Sequence, residues 1–247
     1  MNTFEDYKKS ITPTQQEKIN DALISACQHG ILEEIKEFLT SPNLDMHANI
    51  LASKGSRRNY NLKFPLSIAC KDGHLDVIKY LLTSSDLKNH ADIKQSNYFA
   101  VFEACLYGHL DIVKYFLTSS DLNDKPNIHI IDYNGDNETL LDIACTRARI
   151  DIVKFLLTST ELEDHPDIHR NNDNGFIMAA TYNTDNHIEL VKYLIFDYKI
   201  EKTKNIINYL KKNPDKEIEQ WFNMRDLNQN LNKELDNNIV ISKKMKV

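Results

Sequence analysis

The sequence predicts an all-α solenoid, and three observations carry that expectation. All four cysteines, Cys27, Cys70, Cys105 and Cys145, follow an alanine and stand shortly before a phrase reading roughly Gly-His-Leu-Asp-Ile-Val-Lys-Tyr-Leu-Leu-Thr-Ser. Their spacings are 43, 35 and 40 residues, and a further 35 leads to Ala180 in Met178-Ala179-Ala180-Thr181, so five copies of one unit succeed one another. Within each copy two apolar runs of helical period are separated by a short turn. Recurrence at this period marks units that bury their apolar faces only against their neighbours, which sends the search for function to the surface of a stack.

The elements follow in order. Residues 1–13 form an N-terminal segment, after which Thr12 or Thr14 with Pro13 starts a helix through Ile19, Leu23, Ile24 and Cys27, a polar-faced opening suited to capping the stack. In the second copy Phe64-Pro65-Leu66-Ser67-Ile68-Ala69-Cys70 opens a short helix with Leu66, Ala69 and Cys70 on one face. Pro65 stands near the first turn, where its missing N–H costs nothing. Gly73 suits the left-handed residue that ends this helix, and His74 begins a second one in which Leu75, Ile78, Leu81 and Leu82 keep the helical period. Asp76 with Lys79, Asp111 with Lys114, Asp151 with Lys154 and Glu189 with Lys192 are spaced to pair along the solvated face of that second helix. At the far end Thr203 to Lys212 carries Ile206, Ile207 and Leu210, and Asn213-Pro214 precedes a helix with Ile218, Trp221, Phe222 and Leu231. Residues 199–234 read as a C-terminal helical cap, with contact to a partner as the other use of Trp221 and Phe222, and 235–247 as a flexible tail.

The phrase Pro-Leu-x-x-Ala-Cys-x-x-Gly-His-Leu-Asp-Val-Ile-Lys-Tyr-Leu-Leu, followed by His90-Ala91-Asp92-Ile93, resembles the ankyrin repeat over about residues 14 to 198. The resemblance implies an ankyrin-type solenoid of five helix-turn-helix repeats, near 14–50, 51–93, 94–128, 129–168 and 169–198, whose surface binds other proteins. The family's Thr-Pro-Leu-His opening is poorly kept, as Phe64-Pro65-Leu66-Ser67 and Thr139-Leu140-Leu141-Asp142 show. After the second helix the first four copies carry seven residues where the family usually has two, a five-residue insertion that always contains a leucine, Leu44, Leu87, Leu122 or Leu162. A constant length and a constant leucine fit a structural role. The following finger varies instead: 14 steps from Ile50 to Phe64, 6 from Ile93 to Phe99, 11 from Ile128 to Thr139 and 6 from Ile168 to Asn174. Variation on a constant scaffold points to recognition.

The first long finger carries Lys54, Arg57, Arg58 and Tyr60 with no acid between Leu51 and Lys63, and reads either as a basic contact tip or as a solvated loop. The second carries Asp132, Tyr133, Asn134, Gly135, Asp136 and Glu138, an acidic tip without the ligand pattern of a calcium loop. In the family, the residues between the Ala-Cys pair and the glycine end the first helix on the binding side. The corresponding residues here include Lys71, Asp72, Leu106, Tyr107, Arg147 and Tyr182, either interface anchors or packing for the neighbouring finger.

Other classes find little support. The formal charge of −6 argues against a nucleic-acid footprint, and no apolar run is long enough to span a membrane. The start of the chain lacks the profile of a secretory signal. The cysteines read as small buried thiols rather than disulfides or metal ligands. Repetition accounts for six of the nine histidines, His74, His109, His187, His47, His90 and His165, and no metal motif or catalytic signature occurs. The expectation is therefore a cytoplasmic, monomeric, non-enzymatic protein without cofactor or metal that binds a protein partner; an enzyme with an unfamiliar site is the reading of another class. The repeat phrasing also resembles ankyrin proteins of intracellular bacteria, which implies an effector or adaptor translocated into a host cell.

Overall fold

The computed structural model describes residues 13–42, 47–53, 63–95, 98–131 and 137–244. These form twelve α-helices, and the pairing of extended backbone among them is a single antiparallel bridge between Ile131 and Thr139. The contacts divide the chain into two units, residues 1–144 with 151–166, and residues 145–150 with 167–247.

The first unit is a succession of helix pairs: α1 (Pro13–His29) with α2 (Leu32–Thr40), α3 (Pro65–Asp72) with α4 (Leu75–Thr83), and α5 (Phe99–Tyr107) with α6 (Leu110–Thr118). The pair α7 (Leu140–Thr146) and α8 (Ile150–Thr158) lies largely in it. The first helices pack side by side, α1 on α3 and α3 on α5. Their shared face is buried: Cys27, Cys70 and Cys105 are inaccessible beside Leu23, Leu66, Ala69, Val101 and Ala104. All four cysteines are free thiols, burial pushes those of Cys27 and Cys70 up, and Cys105 donates to the Leu140 carbonyl oxygen at 3.2 Å. Recurring small residues at this position let neighbouring helices approach closely.

One contact repeats between consecutive pairs. Gly30 and Gly73 end their helices in the left-handed region, at φ of 68° and 87°. A Cβ built on Gly30 would lie 2.5 Å from the His74 ring, and one on Gly73 2.7 Å from the His109 ring, so each glycine is the floor on which the next copy's histidine rests. From there His74 Nε2 reaches the Gln28 carbonyl oxygen (3.0 Å) and His109 Nε2 that of Lys71 (2.8 Å). A carbonyl only accepts, so each Nε2 carries the proton. These are carbonyls at a helix C-terminus that lack a partner within their own helix.

The stretch predicted as an insertion is an ordered turn. Thr40, Thr83, Thr118 and Thr158 each donate their hydroxyl to the carbonyl four residues earlier, and the backbone N–H of Ser41, Ser84, Ser119 and Ser159 caps the same helices. The serine hydroxyls of the last three then accept from Asp86, Asp121 and Glu161. Leu87 and Leu122 are buried and Leu162 half-buried, while Leu44 lies outside the described residues. His47 and His90 close the turn by donating to the Ser41 and Ser84 carbonyls. The following N–H, of Ala48 or Ala91, reaches Phe38 or Leu81. In the fourth copy Pro166 replaces that alanine and has no N–H; there His165 Nδ1 supplies the bond to the matching carbonyl, Leu156 (2.8 Å).

Three expectations need correction. The buried stripe of α4 is Val77, Ile78, Tyr80 and Leu81, with Leu75 and Leu82 only half-buried. Lys79 and Lys114 extend toward the next copy rather than along their own helix. Lys79 Nζ lies 5.4 Å from the centre of the Tyr115 ring and Lys114 Nζ 5.2 Å from that of Phe155, with Glu161 Oε1 3.1 Å away. An aromatic face on the adjacent helix offers the lysine stem burial that a solvated carboxylate does not. The third correction concerns the C-terminal helix, described below.

The second unit contains α9 (Arg170–Thr181), α10 (Asp185–Lys192) continued by one π turn over Tyr193–Asp197, α11 (Lys204–Lys212) and α12 (Lys216–Lys244). Asn171, Asn172 and Asp173 are all left-handed, at φ of 52°, 59° and 65°, residue types that tolerate this region. The turn places buried Asp173 where it accepts from the Thr203 hydroxyl, which also caps α11, and from His169. His187 Nε2 donates to the Thr146 carbonyl oxygen at 3.1 Å, the same bond that His74 and His109 make. Phe222 of α12 is fully buried against Phe176, while Trp221 is half-buried under the Lys192 ammonium at 4.9 Å. Helix α12 continues past Glu234, where a tail was expected, to Lys244.

Gly73→Ala should destabilise the protein by about 2–3 kcal/mol, through left-handed strain and loss of the His109 bond. Equilibrium urea denaturation measures this, and a loss under about 0.5 kcal/mol would show that the ring does not rest on Gly73.

Candidate partner-binding surface

The side chains at the ends of the first helices emerge where the scaffold no longer constrains them. In the first unit Lys71 and Asp72 close α3, and Leu106 and Tyr107 close α5. Because α3 and α5 pack side by side, these two ends come together: Lys71 Nζ lies 5.0 Å from the centre of the Tyr107 ring. Tyr107 is 42 % exposed, Asp72 exposed, and Leu106 half-buried. The backbone beneath is fixed, since the Lys71 carbonyl is the acceptor of His109.

Glu103, one turn before Tyr107, completes this cluster and was missed in the sequence. Its position carries Ser25, Ile68, Ile143 and Met178 in the other copies, so a carboxylate where every other copy is uncharged was the available signal. Burial pushes the Glu103 carboxyl up to about 7, with Lys71 pulling it down and Asp72 raising it. Burial draws the Lys71 ammonium down, but Tyr107, Glu103 and Asp72 together hold it above its ordinary value. The surface thus joins an aromatic ring, an ammonium and two carboxyls at neighbouring helix ends.

In the second unit Arg147 follows α7 and is exposed, and Tyr182, at the end of α9, is 48 % exposed with its ring centre 5.0 Å from that of His187. A cleft of about 30 Å³ lies between Tyr182, His187 and Trp221, with Asp215 and Glu217 at its rim. The finger residues Lys54, Arg57, Arg58, Tyr60, Asp132, Tyr133 and Asp136 lie outside the described residues.

Among the described residues no group of three histidine, cysteine or acidic side chains could hold a metal ion. The ring nitrogens of His74, His109, His187, His47, His90 and His165 that meet carbonyls are donors there, which gives these histidines a structural task in each copy. No described helix is long and apolar enough to cross a membrane.

Successive helix pairs, tied at two junctions by a glycine–histidine contact and bearing variable side chains at the helix ends, define an all-α repeat solenoid. Family models make this specific: residues 61–98 match the ankyrin repeat and residues 85–172 the model for three copies of ankyrin repeats. Residues 61–172 therefore carry ankyrin repeats, within an all-α repeat solenoid, and ankyrin repeats indicate a protein–protein interaction domain. No curated protein matches the chain.

A carboxyl whose folded pKa exceeds its ordinary value of 4.5 stabilises the fold while protonated. The contribution of Glu103 is full below about 4.5, declines as pH rises, and is gone above about 7. Glu103→Gln should remove this decline, making the variant more stable than wild type at pH 8 by roughly 1–3 kcal/mol with little difference at pH 4. Thermal melts at the two pH values test this; parallel pH profiles for the two proteins would contradict it.

Proposed function

We propose that the protein binds a protein partner through the helix ends of the first unit bearing Lys71, Asp72, Glu103, Leu106 and Tyr107, and that Arg147 and Tyr182 are contact residues of the second unit in their own right. The observation that carries this reading is the Lys71–Tyr107 pair, an exposed aromatic ring and an ammonium held on a rigid backbone. Tyrosine and cations on a preorganised support are the composition of interface anchors, because little side-chain freedom remains to be lost on binding. The variable fingers, with Lys54, Arg57, Arg58 and Tyr60 on one and Asp132, Tyr133 and Asp136 on the other, add charge complementarity that selects the partner and speeds encounter. The net negative charge supports a protein rather than nucleic acid as the partner. In the role that the resemblance to ankyrin proteins of intracellular bacteria suggests, the chain is a non-catalytic adaptor or effector working in a cytoplasm, its own or that of a host.

Affinity capture followed by titration tests the surface. Lys71→Ala/Tyr107→Ala should weaken the captured partner at least about tenfold, about 1.4 kcal/mol, whereas Asp76→Ala on the opposite helix of the same copy should leave it unchanged. Equal affinity for wild type and double variant would rule this surface out, and Arg147→Ala/Tyr182→Ala asks the same of the second unit.

A further inference from the structure

The cleft between Tyr182, His187 and Trp221 lies wholly within the second unit. Its deepest lining is apolar, since Ala179, Val191 and Ile218 are buried. Its walls are rings. Tyr182 is exposed, with its ring centre 5.0 Å from that of His187. His187 meets the Thr146 carbonyl oxygen through Nε2 and the Thr184 hydroxyl through Nδ1 (2.7 Å), so no ring nitrogen is left to ligate. Of the pair Trp221 and Phe222, Phe222 belongs to the core, whereas Trp221 stays half-buried at the cleft. The charged groups that line the cleft are Asp215 and Glu217, both exposed, and neither Lys192 nor Lys216 joins them. Asp215 accepts from the N–H groups of Glu217 (2.9 Å) and Ile218 (3.1 Å), so these donors at the start of α12 already have their anion and do not call for a second. What the aromatic wall attracts is visible in the chain itself. The exposed side chain of Lys192 places its ammonium over the Trp221 ring at 4.9 Å.

We propose that this cleft receives a lysine side chain of the protein partner, its ammonium set among the rings of Tyr182 and Trp221 and the carboxylates of Asp215 and Glu217. The proposal rests on the reading of Tyr182 as a contact residue and names the chemistry that this residue contacts. Size selects the side chain: a volume of about 30 Å³ takes the end of a slender chain but neither an aromatic ring nor a planar guanidinium. Charge selects its end. An apolar tip would leave both carboxylates without a counter-charge, whereas an ammonium gains the ring faces and the carboxylates together. The methylene stem of the lysine lies along the apolar lining, as long cationic side chains do at surfaces. Lys192 is then a competitor for the same ring, held by the chain itself.

Trp221 is the single tryptophan of the chain, so its indole N–H reports on the cleft alone. The full chain is titrated at neutral pH with the blocked peptide acetyl-Gly-Gly-Lys-Gly-Gly-amide and with its arginine and norleucine counterparts, followed by nitrogen-15 NMR. The lysine peptide should shift the indole signal saturably, with the norleucine peptide at least about tenfold weaker and the arginine peptide at least about threefold weaker. Tyr182→Ala and Glu217→Gln, both at exposed positions, should each weaken the lysine peptide at least about threefold, and Lys192→Gln should tighten it about twofold. An unmoved indole signal, equal affinity for norleucine, tighter binding of arginine, or weakening by Lys192→Gln would overturn the proposal. If Arg147→Ala/Tyr182→Ala weakens the captured partner while the lysine peptide leaves the indole signal in place, the contact surface stands and its lysine cleft does not.

Discussion

The structure depends on a histidine ring resting on a glycine. A left-handed residue without a Cβ ends the first helix of one copy, and the space so left admits the imidazole that begins the second helix of the next. The ring then donates to a carbonyl that its own helix cannot satisfy. One residue pair thereby terminates a helix, sets the distance between neighbours and settles a backbone acceptor. Each of these would otherwise need its own device. The geometry also accounts for the place where the pattern lapses. In the fourth copy Ala148 and Arg149 replace the glycine and histidine, and Ala148 adopts a φ of 49° that alanine tolerates poorly.

Around this contact the copies are held by interactions that are individually modest and repeated. Lysines of one second helix lie over aromatic rings of the next, and the turns after those helices are closed by serine, threonine and histidine side chains on backbone groups. Lys94 with Asp124 and His129 with Asp164 tie the start of a copy to the turn after its second helix at the surface. Because these ties run through the turns and second helices, the ends of the first helices are left for variable chemistry. Lys71, Glu103 and Tyr107 can change without disturbing the register, which is the condition for a repeat scaffold to acquire a partner.

The recurring cysteine, the apolar periodicity and Gly73 made the helix pairs legible, since each reflects a local constraint that spacing along one chain expresses. The constant length of the turn from Thr83 to Asn89 was equally readable as structure. What spacing could not express was contact between copies: Lys79 was assigned to Asp76 because both lie on one helix, whereas the Tyr115 ring comes from the next. Glu103 escaped for the same reason, its burial arising from neighbours rather than from its own helix. Three left-handed residues at Asn171–Asp173 were hidden because they are specified by the buried Asp173 carboxylate and distant Thr203, not by a glycine. Of the candidate binding residues, Lys71 and Tyr107 do meet, a consequence of helix ends that pack side by side.

The direct test of this account is nitrogen-15 NMR of the imidazoles of His74 and His109. A ring supported on glycine and donating to the carbonyls of Gln28 and Lys71 must hold its proton on Nε2, giving one fixed tautomer and a slowly exchanging ring proton that correlates with the acceptor carbonyl. Chemical shifts averaged between tautomers, or a proton on Nδ1 alone, would show that the rings do not tie the copies together.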